Sequence, residues 1–324
     1  MRYQNFETTS ARASRALCFW GAFALALTSL ACGEPDPPQV VVRPPRPRPK
    51  PPAIAARPAN APSEQSLVEA YMTMGRRPDP RRCGPYRLTT NSSDPRLLAA
   101  CEKIGATLDR VYSERFGVTP VGPPAEEIIL FRDLAEYRHY VEEDGRLAAG
   151  YAGFASDIDG LVVLHAGSGR KSAITTLAHE LTHLVHRRSL GTNLPPWLSE
   201  GLADAIGYGT TEEGIGPLRG VVGVEALAER LRGALDRGWA RPLAELTALP
   251  RSGFDRGVRS FDYEQSALLV RYLLLDRELA PRFKGYLAAL ARGERYDPER
   301  FRAALGVSWE GIEEGFDRWL RSER

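Results

Sequence analysis

The chain has 324 residues, 43% of them apolar, which is enough for a sizeable core and excludes wholesale disorder. Its 43 basic residues are balanced by 41 acidic ones, and this near-neutral charge argues against a protein dedicated to nucleic-acid binding. Four cysteines without a C-x-x-C pair exclude a disulfide-built scaffold and a zinc ribbon.

Residues 1–31 have the pattern of an export signal. Three arginines precede an apolar stretch at 16–27, which is too short to span a bilayer because a span needs about 20 apolar residues. The next six residues, Thr-Ser-Leu-Ala-Cys-Gly, resemble the lipobox of bacterial lipoproteins. The resemblance implies that Cys32 is acylated and anchors the protein in the cell envelope, on the outer membrane since Gly33 is not the aspartate of an inner-membrane retention signal. The alternative is an ordinary cleaved signal with an incidental cysteine.

The segment that follows, residues 32–62, is expected to be a tether. Eleven prolines between 35 and 62 exclude a regular helix or sheet there. The folded domain is therefore expected to be 63–324. Its expected divisions are an α/β part at 63–170, the helices of the candidate site at 171–208 and a helical part at 209–324.

The predicted elements change in character along this domain. In its first half, apolar spacing predicts helices over 64–74, 95–116 and 133–143, and β-rich runs predict strands over 127–131, 151–155 and 161–165, the last two forming a hairpin. From there on the pattern is helical almost throughout, over 171–188, from 197, and over 224–237, 263–277, 280–292, 298–305 and 309–322. The expected fold class is α+β, a small mixed sheet followed by a mainly α-helical C-terminal part.

Residues 179–183 read His-Glu-Leu-Thr-His within an apolar stretch of predicted helix. Positions i and i+4 lie on the same helix face, so His179 and His183 present both imidazoles to one point. Glu180 flanks that point, where it can reach a water rather than a metal ion. For a chain of this composition roughly 0.006 chance matches to the pattern are expected, so the motif predicts a zinc site.

A catalytic zinc site usually has three protein ligands, and a glutamate on a second helix can complete this one. Glu200 follows His183 after sixteen residues, within the stretch Trp-Leu-Ser-Glu-Gly-Leu-Ala-Asp. Here the sequence resembles the gluzincins, the thermolysin-like zinc metallopeptidases, and it is most similar to peptidase MA-like bacterial proteins with a P-x-W-L-x-E-G-L-A stretch. The resemblance implies a zincin-like fold and one zinc ion held by His179, His183 and Glu200. It further implies that Asp204 orients the first histidine.

The same resemblance implies a zinc metalloendopeptidase, a hydrolase of peptide bonds. A zinc-bound water would attack the peptide carbonyl, and Glu180 would take its proton as general base. Peptides or proteins are then the expected substrates, and the membrane is an expected partner through the lipid anchor. No nucleic-acid partner is expected.

Gluzincins also hold an extended substrate against a sheet edge shortly before the HExxH helix. Tyr151, Ala152 and Gly153 stand about where that strand is expected, and the glycine allows a close approach of the backbone. The alternative for these residues is a plain hairpin strand.

A tyrosine or histidine that stabilises the tetrahedral intermediate is a further feature of gluzincins. No histidine follows His186 in this chain, so a tyrosine is the candidate. Tyr263 opens a predicted helix in a stretch similar to the Y-x-Q-S of the peptidase MA-like proteins, with Tyr208 and Arg259 as substitutes. The alternative is that Tyr263 only packs against the core.

Other interpretations of the cluster stay open. His186 lies near the same helix face and could be the third ligand in place of Glu200. The histidines and acids could form a buried polar network without metal. A chain with all ligands could also be a gluzincin-like binding or scaffolding lipoprotein without turnover.

Cys83 and Cys101 are the two cysteines left once the signal is removed and Cys32 is acylated. In an oxidising envelope they are expected to form a disulfide that closes a loop of about 19 residues. Two free thiols are the alternative, since Cys101 also fits as a buried apolar residue on its helix. A second alternative is that Cys83 ligates zinc, because its flanking residues faintly resemble the cysteine switch of matrixin zymogens.

Overall fold

A five-stranded mixed sheet lies in the first part of the described chain. The structure, a computed structural model, describes residue 72 and residues 78–122, 127–144, 152–156, 160–219, 221, 223–254 and 261–322. The strands are β1 (Asp79–Cys83), β2 (Tyr86–Thr90), β3 (Glu127–Phe131), β4 (Gly153–Ser156) and β5 (Leu161–His165). Their order is β1-β2-β3-β5-β4, with β2, β3 and β5 mutually parallel and an antiparallel strand at each edge.

Helices make up most of the remainder. In chain order they are α1 (Pro95–Phe116), α2 (Leu134–Asp144), α3 (Arg170–Ser189), α4 (Pro196–Gly207), α5 (Val224–Asp236), α6 (Leu243–Ala248), α7 (Arg251–Phe254), α8 (Asp262–Leu275), α9 (Leu279–Ala291), α10 (Pro298–Leu305) and α11 (Trp309–Ser322). A small hairpin, β6 (Thr210–Thr211) and β7 (Gly214–Ile215), follows α4. The predicted class, a mixed sheet followed by a mainly helical part, is confirmed.

Several predicted features lie outside the described residues. They are the export signal at 1–31, Cys32, the tether at 32–62, the helix at 64–74 apart from the helical Met72, Tyr151 and Arg259. Among the described helices, none combines the length and the apolar character that a membrane span requires.

The sheet is covered on both faces. On β3, Ile128 and Leu130 point into the main core, whereas Ile129 and Phe131 point into a smaller apolar cluster that includes Tyr137 of α2. β5 alternates in the same way. A strand buried on both faces reads as a continuous apolar run, which is why the sequence of β3 lacks polar alternation.

α4 is the most enclosed helix of the site, since all twelve of its residues are buried. It packs against α3 on one side and α8 on another. A glycine makes each approach possible: a Cβ on Gly207 would lie 3.3 Å from His179 Cβ, and one on Gly201 would lie 2.6 Å from both Ser266 O and Val270 Cγ2. The position of α4 therefore depends on having glycine, which has no side chain, at both 201 and 207.

Cys83 and Cys101 are buried free thiols in the structure, so the predicted disulfide is not formed. Cys83 Sγ donates a hydrogen bond to the carbonyl oxygen of Cys101 at 2.6 Å. Burial raises the pKa of both thiols, that of Cys101 to about 12. Because the thiolate is the form that reacts and binds metal, this environment keeps both residues inert, as structural apolar groups.

Gly201→Ala should lower the free energy of unfolding by about 1–3 kcal/mol, because the new Cβ forces α8 away from α4. Urea unfolding followed by circular dichroism measures the change. The matched control is Gly285→Ala on α9, where a Cβ meets nothing within 4 Å. That change should leave stability equal or raise it by roughly 0.5–1 kcal/mol. Equal unfolding midpoints for the two variants would contradict the close approach.

Candidate metal centre

The two histidines of the HExxH motif come from the middle of α3. This helix packs against α1, α4 and the sheet, and its side chains around the motif are buried. One helical turn separates His179 from His183, so their ring centroids lie 4.9 Å apart and their Nε2 atoms 3.1 Å apart. Both Nε2 atoms thus face the same point.

Glu200 reaches that point from α4. Its Oε2 lies 3.4 Å from His179 Nε2 and 3.6 Å from His183 Nε2. One ligand atom from each of the three residues lies within 4.8 Å of the other two. His179, His183 and Glu200 thus form the group, among the described residues, that could hold a metal ion. Two imidazoles and one carboxylate are a donor set that suits a catalytic zinc ion. The residues present therefore fit the metal that the motif predicts.

Each histidine is oriented through its other ring nitrogen. His179 Nδ1 donates to Asp204 Oδ1 at 2.8 Å, the position that the gluzincin resemblance implies for Asp204. His183 Nδ1 lies 3.1 Å from Ser199 Oγ, a contact that the sequence analysis did not predict. A hydrogen bond at Nδ1 fixes the ring orientation, and one that Nδ1 donates, as His179 does to the Asp204 carboxylate, leaves the Nε2 lone pair for a metal.

The charges of the cluster are arranged to hold a cation. Burial alone would raise the pKa of Glu200, but His183, His179 and Arg251 outweigh it and hold this pKa well below its ordinary value. Burial opposes a charge on His179, yet Asp204 and Glu200 hold its pKa well above its ordinary value. The lone pairs of the histidine nitrogens and the Glu200 carboxylate can bind either a proton or a divalent metal. Protons and metal therefore compete for this cluster.

Arg251 is a residue that the sequence analysis missed. It opens the short helix α7, and its Nη1 donates to Glu200 Oε1 at 2.8 Å. The carboxylate is thus shared, with Oε2 on the histidines and Oε1 on the guanidinium. No motif marks this arginine in the sequence, because it meets Glu200 only through the packing of α7 against α4.

Glu180 is half-buried on α3, directly after the first histidine. Its negative charge is among the influences that raise the pKa of His179. Its partial exposure gives it contact with solvent. Position and exposure both suit a group that exchanges protons with a water beside the histidines.

His186 does not belong to the metal-ligating group. It is buried, its ring lies 5.6 Å from that of His183 and 5.8 Å from that of Tyr112, and burial is the main cause that holds its pKa well below the ordinary value. The third ligand atom of the group comes from Glu200 instead. The structure therefore favours the carboxylate over the third histidine.

The predicted substrate strand is partly described. Gly153 begins β4, and Ala152 immediately precedes it. β4 is an edge strand of the described sheet, paired antiparallel to β5. A Cβ on Gly153 would lie 2.8 Å from Thr176 Cγ2 of α3, so the glycine brings this edge against the HExxH helix.

Tyr263 lies in the first turn of α8 and is half-buried. Its ring packs edge-on against Phe254 of α7, with centroids 4.8 Å apart and planes at 68°. The contact joins Tyr263 to the helix that carries Arg251. Tyr208, the first substitute, follows the end of α4 and donates its backbone N–H to Asp204 O at 3.0 Å.

The sequence matches no protein-family model, and no curated protein matches it either. Among solved structures, the chain is similar to an M1 zinc metallopeptidase from Deinococcus radiodurans, at 17% sequence identity and a TM-score of 0.39. The match covers 77% of this chain and 52% of that one. The chain thus spans about half the length of the solved protein.

Alanine at His179, His183 or Glu200 should remove most of the bound zinc, because two ligands hold the ion far less tightly than three. Asp204→Asn should weaken zinc binding by roughly 10–100-fold, since it only orients His179. Elemental analysis after dialysis and chelator competition measure the two effects. The control is His139→Ala, an exposed histidine on α2. Full zinc content in His183→Ala would contradict the ligand set.

Proposed function

We propose that this protein is a zinc metallopeptidase of the gluzincin type, which hydrolyses peptide bonds. One observation carries the proposal: His179 Nε2, His183 Nε2 and Glu200 Oε2 converge from two helices on one point, with separations of 3.1, 3.4 and 3.6 Å. Structural zinc sites are closed by a fourth protein ligand, whereas catalytic sites keep that position open. The metal-ligating group found among the described residues has three members, which is the number of protein ligands in a catalytic site.

The chemistry follows from these residues. Zinc held by the three side chains would act as a Lewis acid and lower the pKa of a water toward neutrality. Glu180 serves as the general base, takes the proton of the attacking water and passes it to the leaving amine. Asp204 and Ser199 keep the two imidazoles in the orientation that binds metal.

The proposed substrate is an extended peptide that lies along β4. An edge strand offers backbone N–H and C=O groups to a peptide, which adds to the sheet as a further strand. The contact of Gly153 with Thr176 supports this proposal, because Thr176 lies one turn before His179 on the same helix. A peptide on this edge would run past the zinc ligands.

For the oxyanion we propose Tyr263 as the neutral donor. A phenol that donates a hydrogen bond to the developing negative charge stabilises the transition state more than the substrate. The proposal is supported by the position of Tyr263 at the start of α8, in contact with the helix of Arg251, which binds a zinc ligand.

A non-catalytic role, as a binding or scaffolding protein of the cell envelope, is the alternative. It requires that the metal is bound without turnover. The presence of Glu180 beside three ligands favours the enzyme, because a scaffold needs no general base. Stoichiometric zinc in a wild-type protein that cleaves no unfolded substrate would favour the scaffold.

Glu180→Gln should retain wild-type zinc content and lose peptidase activity by about 10²–10⁴-fold, because an amide cannot accept the proton of water. Hydrolysis of fluorescently labelled unfolded casein, together with metal analysis, measures both. Glu229→Gln on α5, an exposed glutamate, is the control and should leave activity unchanged. Full activity in Glu180→Gln would refute the general-base assignment.

Tyr263→Phe should lower kcat by ~10²–10³-fold while zinc content and melting temperature stay unchanged, since only the hydroxyl is lost. Steady-state kinetics on a quenched fluorescent peptide measures kcat. Tyr208→Phe is the comparison and should have little effect. The opposite result, with Tyr208→Phe inactive and Tyr263→Phe active, would transfer the donor role to Tyr208.

For its location we propose the bacterial cell envelope, with acyl chains on Cys32 anchoring the protein to the outer membrane, on its periplasmic or surface face. The support comes from the lipobox-like stretch that ends at Cys32 and from the proline-rich segment after it. Acyl chains supply the apolar area that stable membrane attachment needs.

Cys32→Ser should release the protein from membranes, because the acylated side chain is lost. Partition between water and a detergent phase, followed by immunoblotting, measures the release. Cys18→Ser, within the apolar stretch of the signal, is the matched control and should leave partition unchanged. Equal partition of Cys32→Ser and wild type into detergent would contradict the lipid anchor.

A further inference from the structure

Glu200 is held from two sides. Its Oε2 faces the histidine Nε2 atoms at 3.4 and 3.6 Å, and its Oε1 accepts a hydrogen bond from Arg251 Nη1 at 2.8 Å. The Glu200 side chain is 9% exposed, whereas that of Arg251 is 52% exposed. One oxygen therefore faces the metal-binding point, and the other faces a guanidinium that reaches in from the solvent side.

The backbone of Arg251 is held in place by the short helix α7. The N–H groups of Gly253 and Phe254 both donate to the carbonyl oxygen of Pro250, at 2.9 and 3.0 Å, and so close the single turn of α7. Phe254 is buried and packs on Tyr263. This buried end anchors α7 beside α4, and the backbone of Arg251 is thereby held within reach of Glu200.

We propose that Arg251 is a positioning residue for the third metal ligand. By occupying Oε1 it restricts Glu200 to a contact with the metal through Oε2 alone, and it orients that oxygen before the metal arrives. The inference rests on the proposed zinc site and adds the residue that sets the geometry of its carboxylate ligand.

Two effects of Arg251 on metal affinity oppose each other. A hydrogen bond to a ligating carboxylate holds it in place, and losing such a partner typically costs 10–100-fold in affinity. A positive charge near the site repels a divalent cation. Half of the Arg251 side chain is exposed, so water and salt screen this repulsion, and the orienting effect is the larger one.

Chelator competition on the full chain tests the inference by measuring the zinc dissociation constant. Arg251→Ala should bind zinc about 10–100-fold more weakly than wild type, and Arg251→Lys should recover part of the loss, because an ammonium still donates to Oε1. The matched control is Arg318→Ala, an exposed arginine on α11 that pairs with Glu314, and it should bind like wild type. Melting of the metal-free proteins reports on folding, and Arg251→Gln replaces the alanine variant if that variant does not fold.

Cobalt(II) gives a readout that a merely structural role of Arg251 would not change. Its visible absorption weakens when coordination rises from four to five, so cobalt-loaded Arg251→Ala, in which Glu200 can use both oxygens, should absorb less than wild type. Equal zinc affinity and identical cobalt spectra in Arg251→Ala and wild type would overturn the inference. A wild-type protein that binds no zinc would instead overturn the metal site itself.

Discussion

Two carboxylates on one buried helix impose the constraint on which the site depends. Glu200 and Asp204 lie four residues apart on α4, and both are buried. A buried carboxylate without partners costs several kcal/mol, so each must meet a positive or hydrogen-bonding group. His179 donates to Oδ1 of Asp204, whereas Oδ2 has no hydrogen-bond partner within the described part of the chain, and the histidine pair and Arg251 contact Glu200. The contacts of the cluster thus offset part of the cost of burying both carboxylates, and the same side chains form the candidate metal centre.

The helices that carry this chemistry are also well predicted from the sequence. α3 runs over Arg170–Ser189 where the apolar spacing predicts 171–188, since a long buried helix leaves a strong periodic signal. The bounds of α1 agree with the predicted 95–116 as well. The Asp94 side chain accepts two backbone hydrogen bonds in the first turn, and Gly117 ends the helix at a φ of 74°. The spacing of i and i+4 suffices to predict that His179 and His183 share a face.

Other parts of the fold leave no such signal. β1 is charged and mostly exposed and so lacks an apolar pattern, and β2 alternates over five residues with only two of them apolar, Tyr86 and Leu88, so the sequence predicts neither strand. α7 has four residues, barely one helical period, so no periodic pattern in the sequence marks this helix or Arg251. Ser199 leaves no such signal either: adjacent residues on a helix point about 100° apart, so its contact with His183 depends on how α4 packs against α3. Cysteine spacing also does not reveal that Cys83 and Cys101 lie buried as free thiols, with Cys83 donating to the carbonyl oxygen of Cys101.

The two edges of the sheet differ in a way that limits how molecules can associate. β1 forms one edge of the described sheet, with Pro80, Arg81 and Arg82 exposed along it. Proline offers no N–H, and neighbouring arginines repel the same strand of another copy, so both features oppose an extension of the sheet at this edge. β4, at the opposite edge, is an uncharged strand held against α3. An added strand is therefore favoured at the β4 edge, which packs against α3, the helix that carries both histidines.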